Sequence, residues 1–219
     1  MIFVNYKTFE EGSGEAAISL TKALEEAAHA SQVKIIPVVQ VIDAEKVIAS
    51  TTLEVWIQHV DPVSYGPHTG LTLPEEAAKI GVSGVFLNHS EHKFNDFEAL
   101  RMANEKALEA NLKTLIFAGD LEELKNIVTL KPTYVSYEPA ALIGSTTNSV
   151  ARAQPEIISQ AYDIAREGGE PLIVGAGVSS MEDIKKSLEL GATGVAIATA
   201  VVKAPDPKAK LLELVEGFK

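Results

Sequence analysis

At 219 residues, 46% of them hydrophobic and 22% charged, the chain has the length for one large domain or two small ones and the apolar content to fill a core, which excludes wholesale disorder. Lys and Arg number 19 against 30 Asp and Glu, and the net charge of −11 excludes a general electrostatic grip on nucleic acid or on an anionic membrane, leaving only a local basic pocket for an anion. Cysteine is absent, which removes disulfides, thiolate metal sites and thiol nucleophiles.

The first apolar run, Ile2–Val4, has no positive flank and reads as the start of a strand, not as a secretion signal. No later run reaches the roughly 18 apolar residues of a membrane span, so the expectation is a soluble, cytoplasmic protein. Further short runs rich in branched and aromatic residues follow at Ile35–Val39, Val55–Ile57, Val85–Leu87, Thr114–Phe117, Tyr134–Tyr137, Leu172–Val174 and Val195–Ala198, each too short for a helix and each predicted as a strand. Helical patterns lie between them. Gly14–Ala30 carries Ile18, Leu20 and Leu24 on one face, and Phe97–Ala110 carries Leu100, Ala103 and Ala107. Thr72 with Glu75, Ser179 with Glu182 and Ser180 with Asp183 have the spacing of helix-start capping boxes, while Gly81, Gly168 and Gly191 stand where helices stop.

Eight strands that each lead into a helical or capped segment predict an α/β fold, a single-domain (β/α)8 barrel over residues 1–219, in preference to an open sheet of five or six strands. Gly-x-x-Gly-Val precedes both the fourth and the eighth strand, at Gly81 and Gly191, a spacing of half the chain. That echo fits two half-barrels.

In such a barrel, function gathers where the strands end. The polar residues there are Asn5, Lys7, Gln58, Asp61, His89, Glu91, Asp120 and Glu138, with small-residue runs at Gly175-Ala176-Gly177 and Ala198-Thr199-Ala200. Lys7 places an ammonium beside a strand end, either to meet an anion or as a solvated lysine. His89, in Leu87-Asn88-His89-Ser90-Glu91, can reach a substrate oxygen, and Ser90 and Glu91 are candidates for a helix start behind it. Amides of that turn aimed at the ring would keep it neutral and able to donate. Glu138 follows Tyr134–Tyr137 directly; a carboxylate at a buried strand end must have a partner or a task, and a general base is that task. The apolar, Pro- and Gly-bounded stretch 139–149 suits a lid. Exposed amides at Gly177, Ala198 and Thr199 stand where barrels often hold phosphate. His59, His68 and His92 have no metal-ligand spacing, so no metal is expected.

Asn5-x-Lys7, Asn88-His89-Ser90-Glu91 and Tyr137-Glu138-Pro139, in that order and at those separations, resemble the triosephosphate isomerase family, and the short length and Leu142-Ile143-Gly144 resemble its compact archaeal-type branch. The resemblance runs from Asn5 to the last barrel turn. It implies interconversion of dihydroxyacetone phosphate and D-glyceraldehyde 3-phosphate through an enediolate, with no cofactor and no metal. It implies Glu138 as the base, His89 as the neutral electrophile, Lys7 and Asn5 as substrate-binding residues that assist the enediolate, and Glu91 as the carboxylate behind histidine and lysine. Ile143 and Gly144 would belong to the lid, and Gly177, Ala198 and Thr199 would bind phosphate. The loop Gly66-Pro67-His68-Thr69-Gly70-Leu71 would reach a neighbouring subunit, making the chain a homodimer or homotetramer.

Departures from the family pattern are Ala198-Thr199 for a glycine pair, Ala140-Ala141 and Ser145-Thr146 in the lid, His92-Lys93 for arginine, and Leu71 for a polar residue. Two other readings stay open at this point: a different phosphosugar barrel enzyme, which would share the phosphate turns, and a binding paralogue without turnover.

Overall fold

The computed structural model describes residues 1–139 and 155–219. Eight strands form a closed barrel in chain order, every neighbouring pair parallel, with the first strand completing the circle against the eighth. They are β1 (Ile2–Asn5), β2 (Ile35–Val39), β3 (Trp56–Ile57), β4 (Gly84–Leu87), β5 (Lys113–Ala118), β6 (Tyr134–Tyr137), β7 (Leu172–Val174) and β8 (Gly194–Ile197). The α-helices among the described residues are α1 (Gly14–Ser31), α2 (Val41–Ile48), α3 (Pro74–Lys79), α4 (Phe97–Glu109), α5 (Leu121–Ile127), α6 (Pro155–Gly168), α7 (Met181–Glu189), α8 (Thr199–Val202) and α9 (Pro207–Val215). The barrel expected from the sequence is the fold observed.

Strand alternation divides the core in two. Phe3, Ile36, Val38, Trp56, Phe86, Leu115, Phe117, Ile173 and Ala196 fill the barrel interior, where Phe3 meets Trp56 edge-on at 5.0 Å between ring centres. Ile2, Val4, Leu87, Ile116 and Val174 point outward into the layer shared with Leu24, Leu100, Leu124, Ile158 and Ile184 of the helices. Because strands buried on both faces need no polar side, they read as continuous apolar runs.

The repeated glycines have separate jobs. Gly81 and Gly191 stop α3 and α7 in the left-handed region, at φ 97° and 101°. Gly84 opens β4 without a side chain because a Cβ there would lie 2.3 Å from the Trp56 indole. At the end of α6 the left-handed residue is Gly169, one beyond the expected Gly168, which is still helical.

Helix starts depart from expectation at two places. Ser180 does cap α7, in a capping box with Asp183. Thr72 does not cap α3, because Pro74 occupies the first turn and Leu73 becomes the residue before it. No helix begins at Ser90-Glu91; α4 starts at Phe97, capped by Asp96.

Candidate functional site

β1 carries Phe3 inward, so alternation brings Asn5 to the inner side at the barrel mouth, 8% exposed. Its Oδ1 accepts the Lys7 amide at 2.9 Å, and Lys7 adopts φ 49°, a left-handed conformation that costs a residue with a Cβ on the order of 1 kcal/mol. Gln58, just past β3, braces that turn by donating Nε2 to the Lys7 carbonyl at 2.8 Å and to Asn5 Oδ1 at 3.3 Å. Lys7 is thereby held over the mouth. Its ammonium donates to Glu91 Oε1 at 2.6 Å.

His89 stands at the end of β4 and is 8% exposed, with its ring edge-on to Phe117 at 4.9 Å. The Glu91 amide donates to His89 Nδ1 at 3.1 Å. An amide hydrogen aimed at Nδ1 leaves that nitrogen as acceptor, so the ring's own hydrogen resides on Nε2. Burial pushes the His89 pKa below the ordinary imidazole value; Glu91 opposes that shift and Lys7 adds to it. A neutral, Nε2-protonated imidazole facing the mouth can donate a hydrogen bond to a carbonyl oxygen.

On β6, Tyr134 and Ser136 alternate inward with Val135 outward, so Glu138 faces inward without any special turn. Its Oε1 accepts the Ala176 amide at 3.2 Å. Gly175 makes room for it, since a Cβ at 175 would lie 2.7 Å from Oε1. Oε2 is buried without a hydrogen-bond partner, although His89 Nε2 stands only 3.2 Å away in a pairing that lacks hydrogen-bond alignment. Burial raises the Glu138 pKa from 4.5 to about 7, against the opposing pull of Lys7 and the Ala176 amide. The carboxylate is poised near neutrality, as a general base needs to be.

These groups line one cavity of about 330 Å³ together with Asn5, Gly177, Ala198 and Thr199. Ala176 and Gly177 are both left-handed, at φ 65° and 73°, which turns the backbone after β7 over the mouth. Ile143 and Gly144, with the rest of the stretch from Ala140 to Ser149, lie outside the described residues. Lys203 also borders the cavity and holds its ammonium 4.6 Å from the Phe9 ring centre; it sits beyond α8, away from any strand end, so strand-end reasoning passed over it.

One strand-end residue expected at this mouth is elsewhere. Asp120 caps α5, accepting the Glu123 amide at 2.8 Å, and borders a separate depression. Asp61 stays at the mouth: it accepts the Thr72 amide at 2.6 Å and lines a hollow that Asn5, Lys7, Gln58, His89 and Glu91 also line, where His59 and His92 stack at 4.1 Å. Among the described residues no group of three or more His, Asp or Glu could hold a metal ion. Lys93 pairs with Glu123 at 2.8 Å.

The family model for triosephosphate isomerase matches residues 1–217. Archaeal triosephosphate isomerases are similar along their whole length: that of Metallosphaera sedula is 37% identical over 218 residues, 99% of this chain and 95% of that one. The protein of Methanobrevibacter smithii is 35% identical over 98% of this chain and 97% of its own, and that of Thermoplasma volcanium 34% identical over 98% and 99%. With a closed eightfold barrel and a match spanning nearly every residue, the chain belongs to the triosephosphate isomerase family, in its archaeal branch.

Proposed function

We propose that this chain interconverts dihydroxyacetone phosphate and D-glyceraldehyde 3-phosphate with Glu138, His89 and Lys7 as its catalytic residues. Glu138 removes a proton from the carbon beside the substrate carbonyl, leaving an enediolate, and returns the proton to the neighbouring carbon, while a proton passes from the hydroxyl oxygen to the former carbonyl oxygen by way of His89 Nε2. His89 donates from Nε2 to the oxygen that gains charge, and the Lys7 ammonium lies on the same side of the cavity. Asn5 fixes the Lys7 turn and faces substrate, and Glu91 holds both the Lys7 ammonium and, through its amide, the His89 tautomer.

The substrate phosphate rests on backbone amides of Gly177, Ala198 and Thr199. The single observation that supports this reading best is the buried, partnerless Glu138 Oε2 opposite a neutral imidazole. A carboxylate left in that state retains basicity that a structural ion pair would have lost.

The reading extends to one catalytic domain over residues 1–219 and to self-association as a homodimer or homotetramer in the cytoplasm. Tyr65 and Leu71, beside the loop at 66–70, are 60% and 48% exposed, an apolar rim next to the mouth that a second copy would cover. Among the described residues no helix is long and apolar enough to cross a membrane.

The test is an isomerase assay on the purified chain with Glu138→Gln and His89→Gln beside the wild type. Glu138→Gln should lose at least about 10²–10⁴ in turnover. Retention of more than about a tenth by that variant removes Glu138 from its role. Phosphate-analogue binding by the wild type with no turnover would favour the binding-paralogue reading.

A further inference from the structure

Alternation on β4 brings Phe86 into the barrel interior, so a regular strand would send Asn88 inward and His89 outward. The left-handed turn at Asn88, φ 59°, breaks that alternation and brings His89 to the cavity in its place. Such a turn is unfavourable for a residue with a Cβ and must be held by its surroundings.

We infer that Glu123, on α5, is a positioning residue for His89, locking the Asn88 turn through hydrogen bonds to the loops that follow β4 and β5. Glu123 Oε1 accepts from Asn88 Nδ2 at 2.8 Å, and Oε2 accepts the Gly119 amide at 2.7 Å. The Lys93 ammonium donates to both oxygens at 2.8 Å. Asn88 Nδ2 donates in addition to the Phe117 carbonyl at 3.0 Å, and Asn88 Oδ1 accepts the Phe94 amide at 3.3 Å. Phe117 is the ring against which His89 packs. Each bond therefore fixes either the residue before the imidazole, the loop after it, or the strand that carries its ring contact.

The carboxylate is chemically specific here. Two neutral donors and one ammonium converge on it, and a carboxylate has only acceptor sites. Glutamine would keep the shape but set its own NH2 against either Asn88 Nδ2 or the Gly119 amide, and would leave Lys93 without a counter-ion. Glu123 touches no substrate: it borders a depression of about 370 Å³ that is separate from the catalytic cavity. Any effect on turnover must pass through position.

The inference rests on His89 being the electrophile, and the His89→Gln assay tests that by itself: wild-type turnover there overturns the reading and the positioning role together. With His89 upheld, Glu123→Gln, Asn88→Gly and the double variant are compared in kcat, KM and the imidazole ¹⁵N spectrum. Glu123→Gln should lose about 10–100-fold in kcat with KM within about threefold, and the His89 nitrogens should move from the pure Nε2–H pattern. Asn88→Gly should lose about tenfold because the turn is free but unanchored, and adding Glu123→Gln to it should cost less than about threefold more. A Glu123→Gln protein with lower thermal stability but kcat within about twofold of wild type overturns the inference, as do losses that multiply in full. Should Glu123→Gln fail to fold, Asn88→Gly decides: kcat within about twofold and an unchanged His89 spectrum overturn it.

Discussion

Replacing Glu138 with glutamine should abolish turnover and at the same time stabilise the fold in a pH-dependent way. In the folded protein the carboxyl titrates at about 7, against an ordinary 4.5. That gap of about 2.5 units, at ~1.4 kcal/mol per unit, makes the ionised carboxylate cost the fold about 3 kcal/mol. The sign follows from proton binding. Because the folded state holds the proton more tightly, Glu138 favours the fold fully below pH 4.5, and that contribution is lost as pH rises through about 7.

Glutamine keeps an oxygen for the Ala176 amide and carries no charge, but it buries an NH2 where Oε2 now stands, which removes about 1–2 kcal/mol of the gain at every pH. The pH-dependent part survives: relative to wild type, Glu138→Gln should gain about 3 kcal/mol between pH 4 and pH 8, or roughly 6–12 °C in Tm for a chain of this size. His89 contributes with the opposite sign, since its lowered pKa costs stability as the solution becomes acidic; because its Nε2 stands 3.2 Å from Glu138 Oε2, the two titrate together and the pH-dependent difference belongs to the pair. Thermal unfolding of both proteins across that range is the measurement. A Tm difference that is the same at pH 4 and pH 8 refutes the claim that Glu138 ionises against its surroundings.

Lys7→Met should raise the dissociation constant of a substrate-like hydroxamate phosphate and lower turnover together, because it removes the cation held over the mouth by Asn5 and Gln58; unchanged affinity with unchanged turnover reduces Lys7 to a solvated strand-end residue. Thr199→Gly should shift KM only moderately, glycine costing about 0.5–1 kcal/mol of extra ordering, whereas Thr199→Asp should weaken binding severely by setting a carboxylate against the phosphate. A phosphate-analogue titration at fixed ionic strength decides, and wild-type affinity in Thr199→Asp would move the phosphate away from the end of β8.

The barrel and the meeting of Lys7, His89 and Glu138 at its mouth were legible because they rest on patterns that local sequence records. Tyr134–Tyr137 and Ile35–Val39 are strands with the predicted bounds, since buried parallel strands announce themselves as short branched runs between breakers. Glu138 was legible as a polar residue at such a run's end, and plain alternation delivers it to the mouth. Asp120 has the same sequence signature and a different fate: α5 starts immediately after it, and an aspartate at that place satisfies helix amides. Strand-end position names candidates, and only the next element decides between a cap and a catalytic group. Gln58 and Gly175 show the converse, one bracing Lys7 and the other clearing space for Glu138, through contacts between residues far apart in the chain.

The same distinction explains where the unfavourable conformations lie. Among the described residues, six other than glycine have positive φ, and three of them, Gln32, Asn111 and Lys131, close helical segments, where a left-handed residue is the ordinary stop. The other three, Lys7, Asn88 and Ala176, follow β1, β4 and β7, where no helix is ending. Lys7 turns its own ammonium over the mouth, Asn88 turns His89 there, and Ala176 turns its amide to Glu138. Glycine would take each turn without strain, but would release the backbone that the turn is meant to fix. Strain in these positions is held by Asn5 and Gln58 on one side of the mouth and by Glu123 on the other, so under the proposed mechanism the groups meet substrate already placed, and reorganisation is not required as charge moves from carbon to oxygen.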